Sequence, residues 1–262
     1  MPKTLLYSFS RLFWSIYFVL TIGVIGLIFG YLLTLVIYLA ALAISPFENA
    51  SRTVRHFGED VQCQSIRFLL RMQPWLLCQT NFKPIQGFYE QFGTRRVLFV
   101  ANHRSNLDTF LLISYIPGLR GLAKSSLFYN IFFAPFMLIA GFIPVSKGST
   151  ESFVKGLKKL GRKLLKRDRP VLIFAENTRC DKGFPSMNKF AAAFFALAID
   201  SEALIVPIAI ERTDNLLGRG DLLLNPFEKV RLTMLPPVDA TKFNDSIALR
   251  DVIWGQVKAA LA

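Results

Sequence analysis

Val97-Leu98-Phe99-Val100-Ala101 leads directly into Asn102-His103-Arg104-Ser105-Asn106-Leu107-Asp108, and a mostly apolar stretch follows as far as Tyr115. A short apolar run, a polar loop and a second apolar segment read as strand, loop and helix, with the helix expected over residues 108–115. An imidazole at a strand end can point into a cleft. Asp108 follows His103 by five residues, close enough for its carboxylate to reach one ring nitrogen. Such a carboxylate fixes the tautomer and stabilises the imidazolium that forms when the other nitrogen takes a proton. That is the equipment of a general base acting on an alcohol without a protein nucleophile. Each residue also has a plainer use, His103 as a packing residue at a strand end and Asp108 as a helix N-cap.

The same alternation continues outward from this unit. Apolar runs at 96–100, 119–123, 142–145, 171–175, 204–210 and 230–235 are expected strands, and 152–166, 188–199 and 246–261 are expected helices. Strands alternating with helices predict an α/β fold, a mixed sheet covered by helices. A chain of 262 residues has room for one such domain and a short appendage. The expected division is a membrane anchor over 1–50, a basic helical connector over 51–94 and the α/β domain over 95–262.

The anchor follows from charge. No charged residue occurs between Leu12 and Phe47. As a helix this stretch would measure roughly 50 Å, against a bilayer core of about 30 Å. It is therefore either one tilted helix that runs past the interface or a hairpin turning near Gly23, Gly26 and Gly30. A cleaved signal peptide fits less well, because its apolar region would be shorter. Gly26-x-x-x-Gly30 matches a helix-packing motif, and also the chance spacing of glycines in an apolar segment. Lys3 and Arg11 flank one side, and Arg52, Arg55, Arg67 and Arg71 the other. The richer, C-terminal side is expected to face the cytoplasm.

Composition narrows the partners. The formal charge of +13 calls for an anionic partner, nucleic acid or an anionic membrane face. Neither zinc-finger spacing nor an aromatic-basic RNA signature is present, so no nucleic acid is expected and the apolar N-terminus favours the membrane. The 25 phenylalanines suit lipid handling or plain core packing equally well. Cys63, Cys78 and Cys180 form no CxxC pair and are read as reduced thiols in a cytosolic compartment. With only His56 and His103 in the chain, no metal site is expected. Residues 152–166 are amphipathic: Phe153, Leu157, Leu160 and Leu164 share one face, and Lys155, Lys158, Lys159, Arg162, Lys163, Lys166 and Arg167 crowd the rest. That is either a solvated face or a surface for anionic headgroups or an acidic acyl carrier.

The segment NHRSNLD resembles the first motif of the glycerolipid acyltransferases, Asn-His, four residues, Asp, as found in bacterial 1-acylglycerol-3-phosphate acyltransferases. Further blocks follow in the family's order: Lys124 in GLAKSSLF, GFIPVSKG over 141–148, FAENTRC over 174–180 and IVPIAI over 205–210. The resemblance covers about residues 95–212 and the apolar N-terminus. It implies a membrane-bound O-acyltransferase of phospholipid biosynthesis, on the cytoplasmic face of a bacterial inner membrane. Its donor would be acyl-CoA or acyl carrier protein, its acceptor a lysophospholipid, its product phosphatidic acid, and it would need no cofactor. By the same resemblance His103 deprotonates the acceptor hydroxyl and Asp108 orients it. Asn102 and Lys124 join the substrate site, and Arg179, with Glu176 and Thr178, binds the headgroup. Lys147 adds a second phosphate contact, and Pro207 shapes a strand edge near the acyl chain.

The chain also departs from the family. Asn177 stands for the usual glycine, Ala175 for proline, Cys180 for serine, and Ser146-Lys147 for Asp-Arg. Asn tolerates positive φ, so the turn can survive, but lysine lacks the guanidinium fork. These changes keep open another acceptor, a lyso- or hydroxy-lipid such as a lyso-ornithine lipid. A non-catalytic membrane- or carrier-binding protein is the rival of another class, and it would not need His103 and Asp108 together. No Gly-x-Ser-x-Gly elbow is present, and Gly218-Arg219-Gly220 lacks the third glycine of a dinucleotide fingerprint.

Overall fold

The computed structural model describes residues 3–44, 48–82, 90–93, 95–131, 133–166, 169–180 and 187–262. Eight strands form one mixed sheet. They are β1 (Leu77–Thr80), β2 (Val97–Ala101), β3 (Arg120–Lys124), β4 (Ile143–Val145), β5 (Val171–Phe174), β6 (Leu204–Glu211), β7 (Lys229–Met234) and β8 (Val238–Asp239). Their order is β1-β7-β6-β2-β5-β3-β4, with β8 beside β6. β2 lies parallel between β5 and β6, β3 is parallel to both β4 and β5, and β1 is parallel to β7. β7 and β8 pair antiparallel with β6, so β1, parallel to β7, runs against it as well.

Alternation along β2 separates two cores. Val97, Phe99 and Ala101 pack on one face with α4 (Leu107–Tyr115) and α5 (Ala134–Ile139), through Leu111, Leu112, Phe136 and Met137. Leu98 and Val100 pack on the other with α6 (Thr150–Leu165), α7 (Ala193–Asp200) and α9 (Ser246–Leu261), through Leu160, Phe195 and Ile253. Successive side chains of a strand point to opposite faces, so a strand buried on both is apolar throughout. The two sets of helices follow from the handedness of parallel crossovers. The steps β2 to β3 to β4 move toward one edge of the sheet, and the steps β4 to β5 to β6 return. Right-handed connections in opposite directions must lie on opposite faces.

The N-terminal segment corrects one alternative. The helix is continuous through Gly23, Gly26 and Gly30: α1 (Lys3–Phe18), a π-helical segment (Val19–Ile25) and α2 (Gly26–Ala43) follow without a break. The antiparallel limb is instead α3 (Glu48–Arg71), which begins inside the segment assigned to the anchor. Gln73 Nε2 donates to Thr21 Oγ1 at 2.9 Å, Tyr17 donates to the Met72 carbonyl at 2.9 Å, and a Cβ on Gly58 would lie 2.2 Å from Ile37. Residues 17–21 meet Met72 and Gln73, whereas residue 37 meets Gly58, so the two limbs run in opposite directions. Leu5–Ile37 is long and apolar enough to cross a membrane, with mean hydropathy 2.5. Its outer side exposes Leu5, Phe9, Leu12, Ile16, Leu20, Ile28, Leu35 and Leu39. Its inner side is tied to the domain, because Arg11 donates to the carbonyls of Leu223 and Leu224 and Ser15 Oγ accepts from Leu224 N–H. At the far end Glu59 of α3 binds Arg120 and Arg169, each at 2.7 Å, next to the foot of the sheet.

β1 lies within the segment read as connector and pairs with β7 in the main sheet. Helix α7 starts later than residue 188, at Ala193, since Met187 and Phe190 are buried in the core ahead of it.

Candidate active site

The loop after β2 and the loop after β5 are joined backbone to backbone at the carboxyl ends of the strands, where open α/β sheets hold ligands. His103 N–H donates to Glu176 Oε1 at 2.9 Å, and the His103 carbonyl accepts from Cys180 N–H at 2.9 Å. The ring of His103 stacks on Phe174, with centroids 4.0 Å apart and planes 20° apart. Its Nδ1 lies 2.9 Å from Asp108 Oδ2. Asp108, in the first turn of α4, is fully buried, and the same oxygen accepts from Arg104 N–H at 2.7 Å and Ser105 N–H at 2.8 Å. A carboxylate can only accept, so Nδ1 of a neutral ring carries the proton and Nε2 keeps its lone pair. Nε2 has no hydrogen-bond partner among the described residues, and the His103 side chain is 19% exposed. This base is oriented on one side and open on the other.

The remaining site candidates separate into two groups. Lys124 ends β3, and Lys147 lies two residues past β4; both are exposed. Lys124 is in register with Val145, so the two lysines sit along the same edge of the sheet as His103. Thr178 is exposed and Arg179 is half-buried on the loop after β5. Arg179 makes no ion pair among the described residues, and Asp181, its possible neighbour, lies outside them. Asn177 has φ 59°, so asparagine adopts the left-handed turn that glycine usually serves.

Asn102, Glu176 and Pro207 each have a structural part in this scaffold. Asn102 is fully buried: its amide donates to the Ile210 carbonyl at 2.9 Å and accepts from Ile210 N–H at 2.7 Å. It bridges β2 to β6. Glu176 is buried as well, and it accepts from His103 N–H, Asn188 N–H and the Cys180 thiol. It braces the loops on either side of the site. Pro207 sits inside the sheet, in register with Val100, so it shapes no strand edge. Its carbonyl accepts from Leu235 N–H, so its absent N–H points to the gap between β7 and β8, where it costs no ladder bond.

Three further parts of the site escaped sequence reasoning. Phe174 shields one face of the imidazole. Asp214 on α8 (Thr213–Leu217) holds Arg104 in a buried ion pair at 3.2 Å, and Ser105 donates to the Leu217 carbonyl at 2.6 Å. Both contacts lock the His103 loop from the side of β6. Cys180 departs from the family's serine, and burial, then the hydrogen bond and charge of Glu176, push its thiol up to about 12. The thiol donates to Glu176 Oε2, a setting opposite to that of an activated thiolate. No cluster of His, Cys, Asp or Glu suited to a metal occurs among the described residues.

The Acyltransferase family model matches residues 80–211, half of the chain. Among curated proteins, 1-acyl-sn-glycerol-3-phosphate acyltransferase from Cocos nucifera is 26% identical over 157 residues, 60% of this chain and 49% of that protein. The Pseudomonas aeruginosa protein of that name is 30% identical over 120 residues, 46% of each chain. The chain spans about half the length of the curated relatives it matches. The crystal structure of the 1-acyl-sn-glycerophosphate (LPA) acyltransferase PlsC from Thermotoga maritima superposes with TM-score 0.66 at 20% identity, over 89% of this chain and 95% of that one. At that identity the likeness concerns the fold, and the fold carries the His103–Asp108 pair at the end of its second strand. With the family match running from β1 to the end of β6, the chain belongs to the Acyltransferase family.

Proposed function

We propose that the protein is a membrane-bound O-acyltransferase that moves a fatty acyl group from a thioester to the free hydroxyl of 1-acylglycerol-3-phosphate, giving phosphatidic acid. One observation carries this reading: a buried carboxylate holds His103 by Nδ1 and leaves Nε2 open at the sheet edge shared with Lys124, Lys147 and Arg179. Nε2 takes the hydroxyl proton as the oxygen forms a bond to the thioester carbonyl carbon. The tetrahedral intermediate expels the thiolate, the C–S bond breaks, and the imidazolium returns its proton to the sulfur. Asp108 stabilises the transient imidazolium and holds its geometry. The protein itself is never acylated, which suits a site whose cysteine is a bonded thiol. Arg179 offers a bidentate clamp for the acceptor phosphate, with Lys147 as a point charge beside it. His103, Asp108, Arg179, Thr178, Lys147 and Lys124 are the side chains we assign to the reaction.

The lipid reaches this site from the bilayer side. The apolar outer face of α1 and α2 engages the membrane while the inner face stays docked on the domain. Names borne by the relatives support lysophosphatidate as acceptor. The exposed Asn177, placed where the family has glycine, favours a second reading in which the headgroup is another lyso-lipid, such as a lyso-ornithine lipid. Purified protein offered a panel of lyso-lipids with acyl-CoA and acyl carrier protein donors, with products identified by mass, tests both. Phosphatidic acid as the dominant product supports the first reading. Acylation of only a phosphate-free acceptor replaces it with the second, and no product from any pair refutes the proposal.

A further inference from the structure

Arg11 is the one charged residue between Lys3 and Glu48. An arginine in an apolar helix is costly unless it has partners, and Arg11 finds them in the domain. Its Nε donates to the Leu224 carbonyl at 3.1 Å and its Nη2 to the Leu223 carbonyl at 3.2 Å. One turn further along α1, buried Ser15 accepts from Leu224 N–H at 2.9 Å through its Oγ. Trp14 meets Phe227 edge to face, with centroids 5.7 Å apart. All these contacts reach one segment, residues 213–227, which connects β6 to β7. Anchoring needs apolar length alone, so this polar docking serves something else.

The same segment holds the catalytic loop at its other end. Arg212 and Phe227 bracket it with φ 62° and 66°, a left-handed conformation that residues of this size keep only where surrounding contacts over-determine the backbone. Within it Asn225 N–H donates to the Leu216 carbonyl at 2.9 Å, and the Asn225 amide to the Asn215 carbonyl at 2.6 Å. The end held by Arg11 is therefore bonded directly to α8. In turn α8 holds the Arg104 guanidinium on Asp214 at 3.2 Å and the Ser105 hydroxyl on the Leu217 carbonyl at 2.6 Å. Arg104 and Ser105 are the two residues whose backbone N–H groups donate to Asp108 Oδ2, beside Nδ1 of His103. Each backbone donor to the carboxylate is thus tethered to α8 by its own side chain, and a shift of α8 moves the carboxylate that orients the base.

We propose that residues 213–227 form a strap through which the apolar helix α1 positions the catalytic base, with Arg11 as a positioning residue for His103. This rests on the acyl-transfer reading above. A coupling of this kind is established only by a measured interaction between the two ends, so the test is a double-mutant cycle on kcat. The full chain in anionic vesicles receives lysophosphatidate and one acyl thioester. Arg11→Met cuts the anchor end of the strap. Arg104→Met/Ser105→Ala/Asp214→Leu cuts the site end and strands no charge. Arg11→Met alone is expected to lower kcat about tenfold, with acceptor KM and vesicle binding near wild type, and Arg11→Lys to recover part of the loss. In the site-end background the same change should lower kcat by no more than about twofold, whereas distant sites that share no partner simply add. The same factor in both backgrounds would overturn the proposal. So would wild-type kcat in Arg11→Met, or a loss that tracks vesicle binding or acceptor KM, which would make Arg11 a bilayer or headgroup contact. If the site-end variant does not fold, the kcat against KM split of Arg11→Met and its recovery in Arg11→Lys decide by themselves. A wild type that transfers no acyl group instead refutes the acyl-transfer reading.

Discussion

Glu176→Gln separates a brace from a headgroup ligand. In the structure Glu176 Oε1 accepts from His103 N–H at 2.9 Å and Oε2 from Asn188 N–H at 2.8 Å. Glutamine keeps the shape but turns one oxygen into a donor, so one of these part-buried N–H groups loses its acceptor. Hydrogen bonds to charged groups are worth about 1.5–3 kcal/mol, and an unmet buried donor costs about 1–3 kcal/mol. The two figures describe the same loss, so the expected destabilisation is about 2 kcal/mol. For a chain of this size that lowers Tm by roughly 4–8 °C. The loosened group is the backbone of His103 itself, and a base displaced by a fraction of an ångström slows the chemical step. Thermal unfolding in detergent should therefore show the drop in Tm. Steady-state transfer should show kcat reduced about tenfold with the acceptor's KM nearly unchanged. An unchanged Tm with a clearly raised acceptor KM would refute this reasoning and return Glu176 to the headgroup.

Other perturbations probe other links. In Gly121→Ala the new Cβ would sit 2.6 Å from the Leu172 carbonyl oxygen of β5, and backbone cannot give way, so denaturant unfolding should show a loss of about 1–3 kcal/mol; wild-type stability would contradict the close β3–β5 approach. Asp214→Ala strands the buried Arg104 guanidinium and should cost about 3–5 kcal/mol. Adding Arg104→Met should recover part of that, and strict additivity of the two changes would show that the pair does not couple. Alkylation at pH 8 should leave Cys180 unmodified in the folded protein, because its thiol is pushed up to about 12; rapid labelling there would mean that the Glu176 brace is open.

Much of the architecture is legible in the apolar periodicity. β2 to β7 and α4, α6 and α9 announce themselves as runs of the right length, and NHRSNLD places the His–Asp pair on its own. β1 does not, since Leu77-Cys78-Gln79-Thr80 is half polar and only its partner β7 makes it a strand. The N-terminal segment shows the same limit. Its apolar length is plain, but α3 became its antiparallel partner through tertiary packing that no local pattern encodes. The structural contacts of Asn102 and Glu176 are hidden from the sequence for a related reason. A polar residue in a functional block reads as a ligand until its partners are known, and here Ile210 lies 108 residues from Asn102 and His103 lies 73 residues from Glu176. Asp214 carries no local signal at all, because its meaning depends on Arg104 across 110 residues. Phe174 lies inside a block already singled out, yet its stacking on His103 depends on β5 lying beside β2.

If Nε2 of His103 is the base, its loss shows in the rate of transfer from a labelled acyl thioester to lysophosphatidate by His103→Ala, with folding checked by thermal melting. General-base assistance is worth about 10²–10⁴-fold, so the expected rate is lower by at least two orders of magnitude at a near-native melting temperature. A variant that melts like the wild type and transfers at a comparable rate would contradict it.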